Sequence, residues 1–388
     1  MEKEPSIIRR LPRILGEYAQ SDPALFCMPA HKGRGLAFFR DELAKWDVKA
    51  SWLRRQGDPV RDIALRYSRF YRTAYSFLLT GGEASALRVM LRVLPQEEKV
   101  IIPEGSGGNM AAALAQSCRK ASVIRTGIDP VTERFCMPEP NQIAEALDRT
   151  GAGAVFLRSP DTFGFCADIR GIAETVHSRG ALFLVDASFG PHFQASDQLP
   201  DSAAVYADMV CHCPYTGMNA LNQAAVIHLN PCRIDPETLG RMTEEEDPDP
   251  SSLILASMDW AIHTASPNAW DSHLKYLSVF TDKVDGIPGL STERGCALKG
   301  AAAHDASRIL IDVSGRHMTG FSALQYLEER NILAECADKR RVLLVTSPED
   351  DPNWYERILN ALAEMPEETA KAKAACNLNG QTVEKIDE

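Results

Sequence analysis

From about residue 58 to residue 230, short apolar runs alternate with segments whose apolar residues recur at helical spacing. This alternation constrains the fold more than any other feature. Strands separated by helices of roughly 10–15 residues are joined by right-handed crossovers into a mostly parallel sheet. DPVRDIALRYSRFYR reads as a helix behind an Asp-Pro start, and SFLLT as a short buried run. EASALRVMLRVL is helical, and KVIIP is a strand ending in Pro103. GNMAAALAQSC (helix), ASVIRT (strand), NQIAEALDRT (helix) and GAVFLRSP (strand) follow. DIRGIAETVHSRG is a helix stopped by Gly180, and ALFLVDAS, ADMVCHC and AAVIHLN are further strand-like runs. No repeat at a solenoid period is present.

After residue 240 the pattern changes. TEEEDPDPSS reads as an acidic, proline-broken, exposed connector, and SLILASMDWAIHTA and NAWDSHLKYLSVFTDKV as long helices. From about residue 300 the order is strand (RILIDVS), helix (GFSALQYLEERN), strand (RRVLLVTS), helix (PNWYERILNALAEM), a small α+β domain. The polar tail 366–388 is expected to fray. The boundaries this predicts are an N-terminal arm 1–30, a large domain 31–265, connecting helices 266–299, a small domain 300–365 and the tail.

With 388 residues, the chain is too long for one small core. Its formal net charge of -11 repels phosphate backbones, so general nucleic-acid binding is not expected. No apolar stretch reaches the 18 or so residues of a membrane span. The start MEKEPSIIRRLPRIL lacks the layout of an export signal, and the ten scattered cysteines read as reduced thiols. A cytoplasmic location is the expectation.

Ligands of open parallel sheets bind beyond the C-terminal ends of the strands. Asp186 ends the apolar run ALFLVD, where a carboxylate is costly unless a cation meets it. It reads either as a loop-fixing Asp or as the partner of a protonated ring nitrogen or cationic ligand. Thr80-Gly81-Gly82-Glu83-Ala84-Ser85, between a strand and a helix, suits an anion through free N–H groups and the helix dipole; it suits a plain helix cap equally. Glu104-Gly105-Ser106-Gly107-Gly108-Asn109 could form an anion nest, but Met110 stands where a dinucleotide fingerprint needs its third Gly. Cys211-His212-Cys213 has no second Cys/His pair close by in sequence, so no metal is expected. His177, His228, His263, His273 and His304 read as surface or satisfied core residues.

Taken in order, these segments resemble the short form of the ornithine/lysine/arginine decarboxylase family, pyridoxal-phosphate enzymes of fold type I. SDPALFCMPAHKGRG resembles that family's opening, SFLLTGGEASA its phosphate loop, and SPDTFGFCADIRGIAE its Ser-Pro-Thr-Tyr-Tyr-Gly stretch. LFLVDASFGPHF resembles Val-Asp-Glu-Ala-His-Gly-Ala-His-Phe, and NALNQAAVIHL the segment after the catalytic lysine. ILIDVSGRHMTGFSALQYLEE and RRVLLVTSPEDD resemble its C-terminal domain. The resemblance implies a three-layer α/β/α large domain with a mostly parallel seven-stranded sheet, a small C-terminal α+β domain, a homodimer and pyridoxal phosphate.

The site positions depart from the pattern. The family's His-Lys pair falls on Tyr215 and Thr216, and no lysine stands between Lys120 and Lys275. The ring-stacking His falls on Gly107, the His after Asp-Glu-Ala on Phe189, and the Ala against the cofactor on Ser188. The phosphate-loop Ser-Thr falls on Glu83 and Ala84, leaving Asp186 as ring-nitrogen partner and His192 as the matches in those segments. The lysine's proton role alone is typically worth ~10²–10⁴ in rate. A carboxylate about 4 Å from a phosphate oxygen costs ~1 kcal/mol per unit charge in water and ~4 kcal/mol at an effective dielectric near 20. Pyridoxal phosphate is therefore expected not to bind covalently. The expectation is a non-catalytic or repurposed relative, as a homodimer or with an active paralogous chain as partner. Two alternatives stand beside it. One is an enzyme holding pyridoxal phosphate non-covalently on Asp186, with Tyr215, His192 or Thr216 handling protons. The other is a binder of another anionic small molecule at Gly82 and Gly105–Gly108.

Overall fold

A computed structural model describes residues 14, 18, 20–34, 45–117, 120–293 and 298–367. Its centre is a seven-stranded sheet. In chain order the strands are β1 (Tyr75–Leu79), β2 (Val100–Pro103), β3 (Ala121–Ile124), β4 (Ala154–Arg158), β5 (Leu182–Asp186), β6 (Met209–His212) and β7 (Ala225–Leu229). Across the sheet they run β1-β7-β6-β5-β4-β2-β3. All neighbouring pairs are parallel except those that β7 makes with β1 and β6.

Side chains alternate across a strand, so a strand buried on both faces reads as a continuous apolar run. In β5, Phe183 and Val185 face one side with Val155, Leu157, Ile143 and Ile172. Leu182 and Leu184 face the other with Ala154, Phe156, Leu87 and Met90. Helices α1 (Pro59–Tyr71), α2 (Gly82–Arg92), α3 (Gly108–Ser117), α4 (Pro140–Thr150) and α5 (Ile169–His177) form the outer layers. Pro59 follows an Asp58 cap whose side chain accepts from Arg61 N, as the Asp-Pro start predicts, and the Gly151 cap of α4 is left-handed.

A second, antiparallel sheet lies in the C-terminal part, ordered β8-β9-β11-β10, with β8 Ser291–Glu293, β9 Arg308–Asp312, β10 Cys336–Ala337 and β11 Arg341–Val345. Its apolar face joins Phe26, Leu277, Ile309, Leu344 and Tyr355. Ala24–Phe26, expected within an N-terminal arm, is a strand paired in parallel with Ile332–Ala334.

One expectation is corrected. The stretch 243–252 is not an exposed connector throughout. Its first residues continue the helix α6 (Pro236–Glu246), capped by the Asp235 side chain with Pro236 in the first turn. Glu246 accepts from Arg88 Nε (2.8 Å), and Glu245 from Arg92 Nη2 (2.9 Å), both on α2. Asp247 then accepts from Thr80 N (2.6 Å) and Thr80 Oγ1 (2.8 Å). The acidic run is neutralised by a neighbouring helix far away in sequence. The expected frayed tail lies mostly outside the described residues.

Candidate functional site

β4 and β5 are in register so that Arg158 stands opposite Asp186, both at the C-terminal ends of their strands. Asp186 is fully buried. Its Oδ1 accepts from Ser188 N (3.1 Å) and Ser188 Oγ (2.5 Å). Its Oδ2 accepts from Arg158 Nε (2.8 Å) and lies 2.7 Å from Arg158 Nη2. The same Nη2 is ion-paired with Glu83, in the first turn of α2. The loop-fixing role expected for Asp186 is met through Ser188 N and Oγ, and the cation that its burial demands is supplied by the neighbouring strand rather than by a ligand.

The charges follow this geometry. Burial and then the negative Asp186 push the Glu83 carboxyl above its usual range, with Arg158 and Asn109 countering in part. Burial disfavours the Arg158 cation, but Asp186 and Glu83 hold its pKa above the ordinary value. Phe189 presents its ring to two guanidiniums, its centroid 5.4 Å from the Arg158 Cζ and 4.7 Å from the Arg308 Cζ. Arg308 is buried and donates Nη1 to Thr162 O (2.9 Å), while its Nε and Nη2 have no hydrogen-bond partner among the described residues.

Gly107, where the resemblance places a stacking His, has φ +88, and a Cβ there would lie 2.6 Å from Arg158 Nη1. Gly107→Ala should cost about 1–2 kcal/mol from the left-handed backbone alone. Displacing the guanidinium adds to that. Urea unfolding checks this: a loss no larger than that backbone cost would contradict this placement of Arg158.

Thr216 ends the 3-10 turn Pro214–Thr216 and is buried. Its hydroxyl donates to Ser188 O (2.7 Å), with Cys213 O as a second acceptor at 3.0 Å. Asp186, Glu83 and Gly107 thus gather round Arg158, and Ser188 links Asp186 to Thr216. Tyr215 is half-buried, and its pKa is raised, by burial first and then by Cys213 and Glu83. His192 faces elsewhere: it stacks on Trp270 (centroids 4.5 Å apart, 19° between planes), and its Nε2 lies 3.1 Å from Asp305 Oδ2. Burial alone would raise the Asp305 carboxyl, but His192 and Arg308 hold it well below its usual range.

The anion expectation for the first loop is only partly met. The Gly82 N–H donates to Gln223 O (2.9 Å), so this chain's own carbonyl takes that donor. Ala84 is half-buried, and Ser85 Oγ accepts from Arg88 Nη2 (2.9 Å). In the second loop, Gly105 and Gly107 take positive φ, and α3 starts at Gly108. A cavity of about 350 Å³ opens beside it, lined by Gly107, Arg134, Arg158, Asp161 and Phe163 among others. Burial pushes the Asp161 carboxyl up to about 6, although the amides of Phe165 and Phe163 counter it.

Arg158 and Arg308 escaped the sequence reading. The available signal was a charge ending the apolar run AVFLR directly before Ser159-Pro160. Its meaning depends on which strand lies beside β4.

No protein-family model matches the chain. Its fold is that of the pyridoxal-phosphate-dependent fold type I enzymes. It is similar to the constitutive lysine decarboxylase of E. coli (TM-score 0.68, 16% identity, 95% of this chain and 61% of that one). It is also similar to the sphingosine-1-phosphate lyase of Burkholderia pseudomallei K96243 (TM-score 0.70, 13% identity, 97% and 96%). Among curated sequences it resembles the arginine decarboxylases of Bacillus subtilis (strain 168), 24% identical over 307 residues, and of Halalkalibacterium halodurans, 24% identical over 369 residues. These alignments cover 76% and 90% of this chain, and 62% and 75% of the two relatives. The chain is a distant relative of these decarboxylases, spanning about 62% of the length of the Bacillus one.

Pyridoxal phosphate comes with that resemblance, but the residues present do not fit it. The carboxylate assigned to the ring nitrogen is saturated by Arg158 and Ser188, and the phosphate-loop serine position is a buried Glu83.

Proposed function

We propose that this chain is a non-catalytic or repurposed relative of the basic amino acid decarboxylases, working without covalent pyridoxal phosphate. The observation that carries this is Thr216. At the position the resemblance gives to the lysine stands a buried hydroxyl already bonded to Ser188 O (2.7 Å). No lysine within 121–274 offers a substitute. Lys32 is buried, but its ammonium donates to Cys27 O (2.6 Å) and Val345 O (2.8 Å) and lies 3.9 Å from Asp350. It is therefore engaged as a structural cation.

The saturation of Asp186 also counts against a non-covalent cofactor held by its ring nitrogen. The reading includes a homodimer, with an active paralogous chain as a second candidate partner, a cytoplasmic location, and the division into arm, large domain, connecting helices and small domain. No helix among the described residues is long and apolar enough to cross a membrane.

Incubation with pyridoxal phosphate, borohydride reduction and peptide mapping test the reading. No peptide should carry the cofactor near one equivalent. A stoichiometric adduct on one internal lysine, Lys32 included, overturns it. Sedimentation velocity tests the dimer, and a purely monomeric chain at micromolar concentration counts against it.

A further inference from the structure

We infer that the guanidinium of Arg158 takes the place a pyridoxal ring would need, so that the chain has replaced its cofactor site by an internal ion network. The inference rests on the reading that the chain works without covalent cofactor, and it adds why a lysine alone would not restore the site.

Four independent positions converge on one side chain. Asp186, the position matched to the ring-nitrogen partner, accepts Arg158 Nε at 2.8 Å. Glu83, in the loop matched to the phosphate, is ion-paired with Arg158 Nη2. Gly107, matched to the stacking residue, has no room for a side chain, because even a Cβ would meet Arg158 Nη1 at 2.6 Å. Phe189, on the far side of Asp186 in sequence, presents its ring to the guanidinium with 5.4 Å between centres. A planar cation bonded to a carboxylate and set against an aromatic ring meets the demands that a protonated heteroaromatic ring would place on the same residues.

The substitutions fit one another chemically. An arginine at the end of β4 needs a second acceptor beyond Asp186, and Glu83 supplies it. A His at Gly107 would collide with the arginine, and glycine removes the collision. The remaining excess of one carboxylate over one guanidinium makes the cluster hostile to a phosphate dianion. Thr216 then has no amine-bearing role to fill, and its hydroxyl serves the turn that leads from β6.

The test uses the full chain and pyridoxal phosphate as probe. Four proteins are compared: wild type, Thr216→Lys, Arg158→Thr/Glu83→Ser, and the triple variant combining them. Each is incubated with the cofactor, reduced with borohydride and mapped, with circular dichroism and melting as the folding control. Thr216→Lys alone should label no more than wild type on the peptide carrying residue 216. The triple variant should label that peptide at least about tenfold more. Labelling of Thr216→Lys near one equivalent overturns the inference, and so does a folded triple variant that stays unlabelled. If the triple variant does not fold, Thr216→Lys/Arg158→Gln/Glu83→Gln takes its place, shortening the arginine side chain, keeping the shape of residue 83 and removing both charges; the same two outcomes decide. An adduct on the wild-type chain would instead overturn the reading under Proposed function and leave the comparison of the variants readable by its own peptide.

Discussion

Arg158→Ala is expected to lower the unfolding free energy by about 3–5 kcal/mol, among the largest losses any single substitution in this chain would cause. The reason is what the arginine leaves behind. Asp186 is fully buried and Glu83 nearly so, and both lose the one cation that pairs with them among the described residues. Breaking a buried pair from one side exposes the survivors to the full desolvation penalty, whereas the intact pair is close to neutral against an apolar replacement. Arg158→Ala/Glu83→Ala should therefore be less damaging than the single change, since one orphaned carboxylate is removed with its partner. An exposed pair is the control. Arg170 lies 3.2 Å from Glu174 with side chains 71% and 69% exposed, and Arg170→Ala should change stability by no more than about 0.5 kcal/mol. Urea unfolding of the four proteins checks the order. A loss of under about 1 kcal/mol for Arg158→Ala would mean that the cluster is solvated.

Acidification from pH 7 to pH 5 is expected to cost roughly 5 kcal/mol of stability before the opposing carboxylates Glu83 and Asp350 are counted. Burial lowers the pKa of His212 to about 3, with His192 adding to the effect, and that of His273 to about 3, with Lys32 and His192 adding. An unfolded histidine titrates near 6.5, so below that pH the unfolded chain binds protons that the folded chain refuses. Linkage makes each such histidine worth about 2 kcal/mol of lost stability at pH 5. His31, lowered to about 4 by burial and by Lys32, acts with the same sign. Asp161 acts oppositely. Its folded pKa of about 6 lies above the unfolded value, so the folded chain takes up a proton as pH falls through 6, returning roughly 1 kcal/mol at pH 5. Glu83 and Asp350, both raised by burial first, oppose the histidines as well.

His212→Phe isolates one contribution. Neither His212 ring nitrogen has a hydrogen-bond partner among the described residues, and the ring stacks on Tyr71 with centroids 4.5 Å apart. A phenyl ring fits that stack without a proton to refuse. The variant should keep about 2 kcal/mol more of its stability than wild type on going from pH 7 to pH 5. Melting curves across that range check it, and parallel pH dependences would show that His212 is not held neutral.

The alternating segments were legible in the sequence because each carries its own period. Val100–Pro103, Ala154–Arg158 and Leu182–Asp186 are apolar on both faces, and the helices between them repeat at helical spacing, two of them behind the Pro140 and Asp168 starts. The acidic stretch after residue 240 was misread, since its charges gave no sign of Arg88 and Arg92 on a helix about 150 residues earlier. The candidate site shows the same division. Asp186, Glu83 and Gly107 could each be singled out by place and type, as could the need of Asp186 for a cation, whereas Thr216 came only through the resemblance.

What the sequence alone determined is the set of elements, their faces and the residues standing at the strand ends, because periodicity, capping and residue chemistry act over a few neighbours. Only the tertiary structure decided that Arg158 answers Asp186, that Glu83 completes the pair and that glycine at 107 makes room for both. Those facts depend on the order of strands across the sheet, which is set by how two buried faces pack, and no local pattern along the chain encodes which strand end lies next to which.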